Sequence, residues 1–224
     1  LRRSVGAPEK HKGLWILLAD DLYVAPVPGQ AMAALRKMAN VEDIIGQLEK
    51  EMKSAKASLK GGKKRADLLQ HWVFRGPPGT GKTTVARAFG EVFHGIGLLS
   101  DARVVECKAT DLMAQYVGQT APLVNEKMKE ALGGVLFIDE AYGLIPRHGN
   151  AFAREAIEAL LANITDTQYA GKMMVVLAGY DSDMNMLLKS NPGLPRRFTK
   201  SITFKSWKPE ACLALCRSRL APVE

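Results

Sequence analysis

The chain has 224 residues, of which 47% are hydrophobic and 24% charged, with 31 Lys and Arg against 23 Asp and Glu and three Cys. This composition excludes a collagenous, disulfide-stapled or wholly disordered chain and allows one large domain or two small ones with a substantial buried core. Three cysteines cannot close a disulfide framework, so a reducing compartment is expected: the cytoplasm, with a plastid or nucleus as alternatives. The strongest apolar run, Leu14 to Ala19, stops at Asp20 and Asp21, short of the roughly 20 residues of a membrane span, so no membrane partner is expected.

The net charge of +8 is uneven. Residues 1–75 carry 14 basic and 8 acidic groups, residues 76–146 carry 6 and 8, and residues 147–224 carry 11 and 7. Much of the excess lies in Lys50, Lys53, Lys56, Lys60, Lys63, Lys64 and Arg65, spaced as on a helix until Gly61 and Gly62. That reads as a solvated helix face and a basic loop. A nucleic-acid surface is the weaker alternative, because no aromatic residues interleave with those cations to stack on bases.

In chain order, residues 1–30 are irregular, broken by Pro26-Val27-Pro28-Gly29, and look like a linker or the end of an upstream region. A chain that begins at Leu1 reads as a fragment or processed product. From Ala31 to Leu59 the pattern is helical, with Met32, Leu35, Met38, Val41, Ile44, Ile45 and Leu48 at three- and four-residue steps. Beyond it, short apolar runs (72–74, 103–107, 135–138, 173–178 and 201–204) alternate with amphipathic stretches (83–93, 122–132 and 152–164). The alternation predicts an α/β domain with a mostly parallel sheet.

Gly76-Pro77-Pro78-Gly79-Thr80-Gly81-Lys82-Thr83 fits the phosphate-loop pattern G-x-x-x-x-G-K-S/T at every fixed position, between a strand and a helix. Glycines let the backbone curl so that successive amides point at phosphate oxygens, and the helix N-terminus adds its positive end. Lys82 supplies a mobile cation, Thr83 a hydroxyl for Mg²⁺, and Thr84 continues the nucleotide-binding turn. Val135-Leu136-Phe137-Ile138 leads into Asp139 and Glu140, 57 residues after Lys82. A buried parallel strand would deliver both carboxylates to its C-terminal end, Asp139 toward the metal and Glu140 toward an attacking water, which favours hydrolysis over transfer.

Two other stretches matter. Gln115-Tyr116-Val117-Gly118-Gln119-Thr120 precedes a helix. Spacing leaves open whether it is a loop gripping a threaded polypeptide through Tyr116 and Val117, with Gly118 as its hinge, or a buried Tyr at a helix start. Asn191-Pro192-Gly193-Leu194-Pro195-Arg196-Arg197-Phe198 presents two arginines on a stiff turn. One of them could stabilise transition-state charge at a neighbouring subunit's γ-phosphate, or both could be surface residues.

Together these motifs resemble the AAA+ ATPases. Asp111-Leu112 through Pro122, Gly133 through Tyr142, Glu155-Ala156-Ile157-Glu158, Leu177-Ala178-Gly179-Tyr180 and Ser190-Asn191-Pro192-Gly193 are similar to the branch of red-type Rubisco activase and stage V sporulation protein K. The resemblance runs from about Ala34 to Leu220. It implies a P-loop NTPase core with a five-stranded parallel sheet sandwiched by helices over 31–206. It places the start of a helical lid in 207–224, with the rest of that lid absent from this sequence. It further implies a homo- or hetero-oligomeric ring, usually of six subunits, with ATP and Mg²⁺ between neighbours and a protein substrate moved by pore loops. On that pattern Tyr116 takes the pore-loop aromatic position, and Arg197, rather than Arg196, aligns with the trans arginine.

Two departures stand out. The fourth core strand ends in Tyr180 where many members carry a polar Asn or Thr, and Pro195 stands where the branch tends to carry an arginine. A nucleic-acid-associated ATPase and a weakly hydrolysing assembly module are the alternative functions. Cys212 and Cys216 share a helix face with no nearby His, which reads as buried thiols, and His11, His71, His94 and His148 show no ligand spacing.

Overall fold

The computed structural model describes residues 10–11, 14–15, 28–36, 38, 41–116, 118–146, 150–207 and 209. Val117, Arg147, His148 and both Cys212 and Cys216 lie outside them, as do most of 1–30 and of the expected lid segment. The elements are β1 (Lys10–His11), β2 (Leu14–Trp15), α1 (Pro28–Arg36), α2 (Glu42–Lys60), β3 (Trp72–Arg75), α3 (Lys82–Gly95) and β4 (Val104–Lys108). There follow α4 (Thr120–Glu130), β5 (Val135–Asp139), α5 (Ala151–Thr165), β6 (Met174–Gly179), α6 (Asp181–Ser190), α7 (Gly193–Arg197) and β7 (Lys200–Thr203). Strands β1 and β2 form a small antiparallel pair. The other five make one sheet in the order β4-β5-β6-β3-β7, parallel at every pairing.

The period-2 alternation of a strand sorts this sheet's side chains onto two faces. Trp72, Phe74, Val135, Phe137, Val176 and Ile202 face α1, α2 and α3 in one core. Val73, Leu136, Ile138, Val175 and Leu177 face α4, α5 and α6 in the other. Burial on both faces is why β5 and β6 read as unbroken apolar runs. Phe89 of α3 centres the first core, its ring 5.1 Å from those of both Trp72 and Phe74.

The helical stretch expected over 31–59 is two helices. One straight helix would carry part of its apolar stripe past the sheet, whereas α1 lays Ala31, Met32 and Leu35 on the core and α2 lays Ile44, Leu48 and Ala55. Helix α1 begins at Pro28, a residue whose fixed φ and missing N–H suit a first helical position. Helix α6 was not expected, because Met184 and Leu187 are its only buried residues. The expected stiff turn before β7 is the short helix α7, its start tied by the Gly193 amide donating to Asn191 Oδ1 at 2.8 Å.

Strand β7 is an edge, and α2 covers it. Gln47 Nε2 donates to the Ser201 carbonyl at 2.9 Å, Lys200 pairs with Glu51 at 2.6 Å and Lys205 with Asp43 at 2.5 Å. Asp43, Gln47 and Glu51 are four residues apart, hence on one helix face. The cations Lys50, Lys53, Lys56 and Lys60 of α2 are exposed, as are Lys63, Lys64 and Arg65 beyond the helix. Among the described residues no helix is long and apolar enough to cross a membrane.

His71, just before β3, accepts the Val175 amide on Nδ1 at 3.0 Å with its ring 5.6 Å from that of Phe198. Burial pushes its pKa down to about 4. Between that value and the ordinary 6.5 the unfolded chain binds a proton that the folded one refuses. Stability contributed by His71 is therefore complete above pH 6.5 and is lost as pH falls toward 4. We expect urea midpoints to fall over this window, and to fall less for His71→Gln; equal slopes for the two proteins would refute the assignment.

Candidate functional site

Because the five strands run one way, the segments leaving β3, β5 and β6 emerge at a single edge of the sheet. There they enclose a cavity of about 390 Å³ lined by Gly76, Pro78, Gly79, Gly81, Lys82, Thr83, Thr84, Asp139 and Glu140, together with Tyr142, Gly179 and Tyr180. Pro77 and Thr80 brace the loop instead of lining the cavity: Thr80, buried, donates its hydroxyl to the Pro77 carbonyl at 2.8 Å.

Three glycines of the loop have positive φ, Gly76 at 149°, Gly79 at 72° and Gly81 at 92°, conformations that L side chains rarely adopt. Gly76 is also crowded, since a Cβ there would run into the backbone of Phe204. Helix α3 starts at Lys82 with no side-chain cap, so its first amides are free to serve an anion. Lys82 Nζ folds back onto the Gly76 and Pro77 carbonyls at 2.9 and 2.7 Å. Partial burial pulls its pKa down while Asp139 pushes it back up. A desolvated ammonium among inward-curled glycines fits a polyphosphate. The hard oxygens of Thr83 and Asp139 on the same cavity fit Mg²⁺, which keeps most of its waters.

Glu140 stands where β5 ends and is the one described non-glycine with positive φ, 51°. Its amide donates to Asp139 Oδ1 at 2.9 Å, and its carboxylate accepts from Lys108 Nζ at 3.1 Å. That bond, with the charge behind it, raises the Lys108 pKa. The Tyr142 phenol also has a raised pKa, through burial first and then the negative charge of Glu140, and its ring lies 5.8 Å from that of Tyr180. The family resemblance implies that Tyr180 is near the site; Tyr142 ends one of the family-like stretches but was not anticipated as a wall. Arg75, just before the loop, donates to Asn185 Oδ1 at 2.5 Å and reaches Asp181 at 3.4 Å, anchoring α6 to β3.

The remaining candidates lie elsewhere. Tyr116 is 68% exposed, which removes the buried-Tyr alternative, and Gly118 has φ 81°. Arg196 is exposed and Arg197 half-buried, the latter donating to the Gly193 carbonyl at 3.4 Å. Both arginines precede β7, whose first residue pairs with the first residue of β3. The phosphate loop leaves the other end of β3, four residues on, about 13 Å away at the usual rise. Arg197 therefore lies toward the edge of the sheet opposite its own chain's phosphate loop.

The profile of the ATPase family associated with various cellular activities (AAA) matches residues 72–206. The chain is 38% identical over 194 residues to ESX-1 secretion system protein EccA1 of Mycobacterium leprae, covering 84% of this chain and 34% of that protein. It is 38% identical over 178 residues to stage V sporulation protein K of Bacillus subtilis, covering 79% of this chain and 53% of that one. ESX-3 secretion system protein EccA3 of Mycolicibacterium smegmatis is 37% identical over 182 residues, or 80% of this chain and 30% of the relative. The chain thus spans between about a third and about a half of the length of these proteins.

The loop geometry ranks two substitutions. Gly79→Ala meets open space and only the backbone penalty, about 1–2 kcal/mol. Gly76→Ala adds the clash with Phe204, so its loss of melting temperature should be the larger; the reverse order would contradict the described loop.

Proposed function

The chain belongs to the AAA family of ATPases, and from that premise we propose that it binds ATP with Mg²⁺ at the phosphate loop and hydrolyses the β-γ phosphoanhydride bond. We propose further that it couples hydrolysis to remodelling a protein substrate within an oligomeric ring, most simply a hexamer. The observation that carries this reading is that Lys82, Thr83, Asp139 and Glu140 meet in one cavity while Tyr116 stands exposed on a separate loop of the same chain.

In this reading the amides from Gly79 to Thr84 hold the phosphates, and the Lys82 ammonium leaves the Gly76 and Pro77 carbonyls for the β- and γ-phosphate oxygens. Thr83 and Asp139 hold Mg²⁺, which when bound withdraws charge from the phosphoryl oxygens. The Glu140 carboxylate accepts a proton from the water that attacks the γ-phosphorus. Lys108 bonds to Oε1 of that carboxylate, so it can stay paired while the other oxygen accepts the proton. Arg197, set toward the opposite edge of the sheet, has no role at its own chain's loop and serves a neighbour's γ-phosphate, which makes a ring part of the chemistry. Residues 31–206 form the large subdomain, with the lid starting at 207. Similarity to proteins named for secretion systems and sporulation favours a protein client over nucleic acid.

Glu140→Gln should leave ATP binding within about two-fold and lower turnover by roughly 10²-fold or more, the usual range for a lost general base; phosphate release and nucleotide binding measured on the same preparation check it. Turnover near wild type in that variant would remove Glu140 from the mechanism. Tyr116→Ala should keep basal ATPase and lose substrate-stimulated turnover, tested with an unfolded protein and, separately, with single-stranded DNA and RNA. Stimulation by nucleic acid alone would replace the protein client.

A further inference from the structure

The phosphate loop is held from outside by the segment that leaves β7. Phe204 continues the ladder, its amide donating to the Arg75 carbonyl at 2.6 Å, and its backbone crowds Gly76. Three residues later the half-buried Trp207 donates its indole Nε1–H to the Gly79 carbonyl at 3.1 Å. Trp207 is not a wall of the cavity, so this contact reaches the loop from its outer side.

Peptide geometry gives the contact a consequence. In a trans peptide the carbonyl of one residue and the amide of the next point in opposite directions. An indole that holds the Gly79 carbonyl outward turns the Thr80 amide inward, to the side on which Gly79, Gly81 and Lys82 line the cavity. Gly79 most needs such a constraint, because it has φ 72° with no atoms near its missing Cβ and its peptide can otherwise rotate freely. The neighbouring Thr80 hydroxyl, donating to the Pro77 carbonyl, braces the other side of the same peptide.

We infer that Trp207 is a positioning residue for the phosphate site: its indole N–H fixes the Gly79–Thr80 peptide so that the Thr80 amide is aimed at polyphosphate before the ligand arrives. The inference rests on the nucleotide reading above and assigns to Trp207 a task directed at phosphate, not at the base. It also makes Trp207 a physical link between the loop and whatever chain follows, since movement of the Gly79 carbonyl on ligand binding is felt at the indole.

The test is a titration of the full 224-residue chain and its Trp207→Phe variant with Mg-ATP and with inorganic tripolyphosphate. Calorimetry and tryptophan emission follow binding, and melting temperature is measured in parallel. Loss of one neutral hydrogen bond should weaken both ligands by roughly five-fold, with the melting temperature little changed. The emission change on binding should vanish in Trp207→Phe and persist in Trp72→Phe, whose ring is buried in the core. Unchanged affinity for both ligands would overturn the proposal. Weakening confined to ATP would also overturn it, since the residue would then act on the base. If the wild type bound neither ligand, the nucleotide reading itself would fall.

Discussion

All five strands of the main sheet point the same way, and the site is a consequence of that direction. A parallel sheet leaves every strand end of one polarity along one edge, so segments far apart in sequence come together: the loop after Arg75, the acid pair at Asp139 and Glu140, and Gly179-Tyr180. The orientation has a cost, because parallel strands need crossovers and must be covered on both faces. The covering helices supply this, α1 to α3 on one side and α4 to α6 on the other. The same polarity that gathers these groups places Arg197 toward the opposite edge. On the proposed reading, that leaves the late arginine to a neighbouring chain's phosphate.

The position of β7 is the second dependency. A short edge strand of four residues has few ladder bonds of its own and one unpaired side. Gln47 takes up the Ser201 carbonyl on that side, while Glu51 and Asp43 bracket it through Lys200 and Lys205. The Asp43 pair is largely exposed, so it contributes alignment more than stability. Alignment is what the site needs: the register of β7 against β3 determines where Phe204 meets Gly76 and where Trp207 meets Gly79. Helix α2, which contributes no residue to the cavity lining, thus helps set the outer boundary of the phosphate loop.

The legible parts of the sequence were those where one residue type answers one local demand. Buried strands had to be apolar throughout, so β5 and β6 stood out, and the loop glycines stood out because glycine takes those positive φ values without strain. Helix α6 was hidden because it buries just Met184 and Leu187, too few for periodicity to register. The break between α1 and α2 was hidden because both halves keep the same apolar spacing and only the finite width of the sheet forces the chain to turn. Contacts across long separations left no trace at all. Lys108 and Glu140 are 32 residues apart, Trp207 and Gly79 are 128 apart, and nothing in the composition around any of the four announces the pairing.

Charge connects these pieces. The central third of the sequence is net acidic, yet on the proposed reading it receives a polyanion. Within the cavity Lys82 faces Asp139 and Glu140, one cation against two carboxylates. Lys108 compensates for one of them through its bond to Glu140. An entering polyphosphate adds negative charge to that balance, so on the proposed reading further cations are needed. On that reading Mg²⁺ on Thr83 and Asp139 supplies part of the charge and an arginine from a neighbouring chain another part. The proposed sharing of the site between chains then has an electrostatic reason beside the polarity of the sheet.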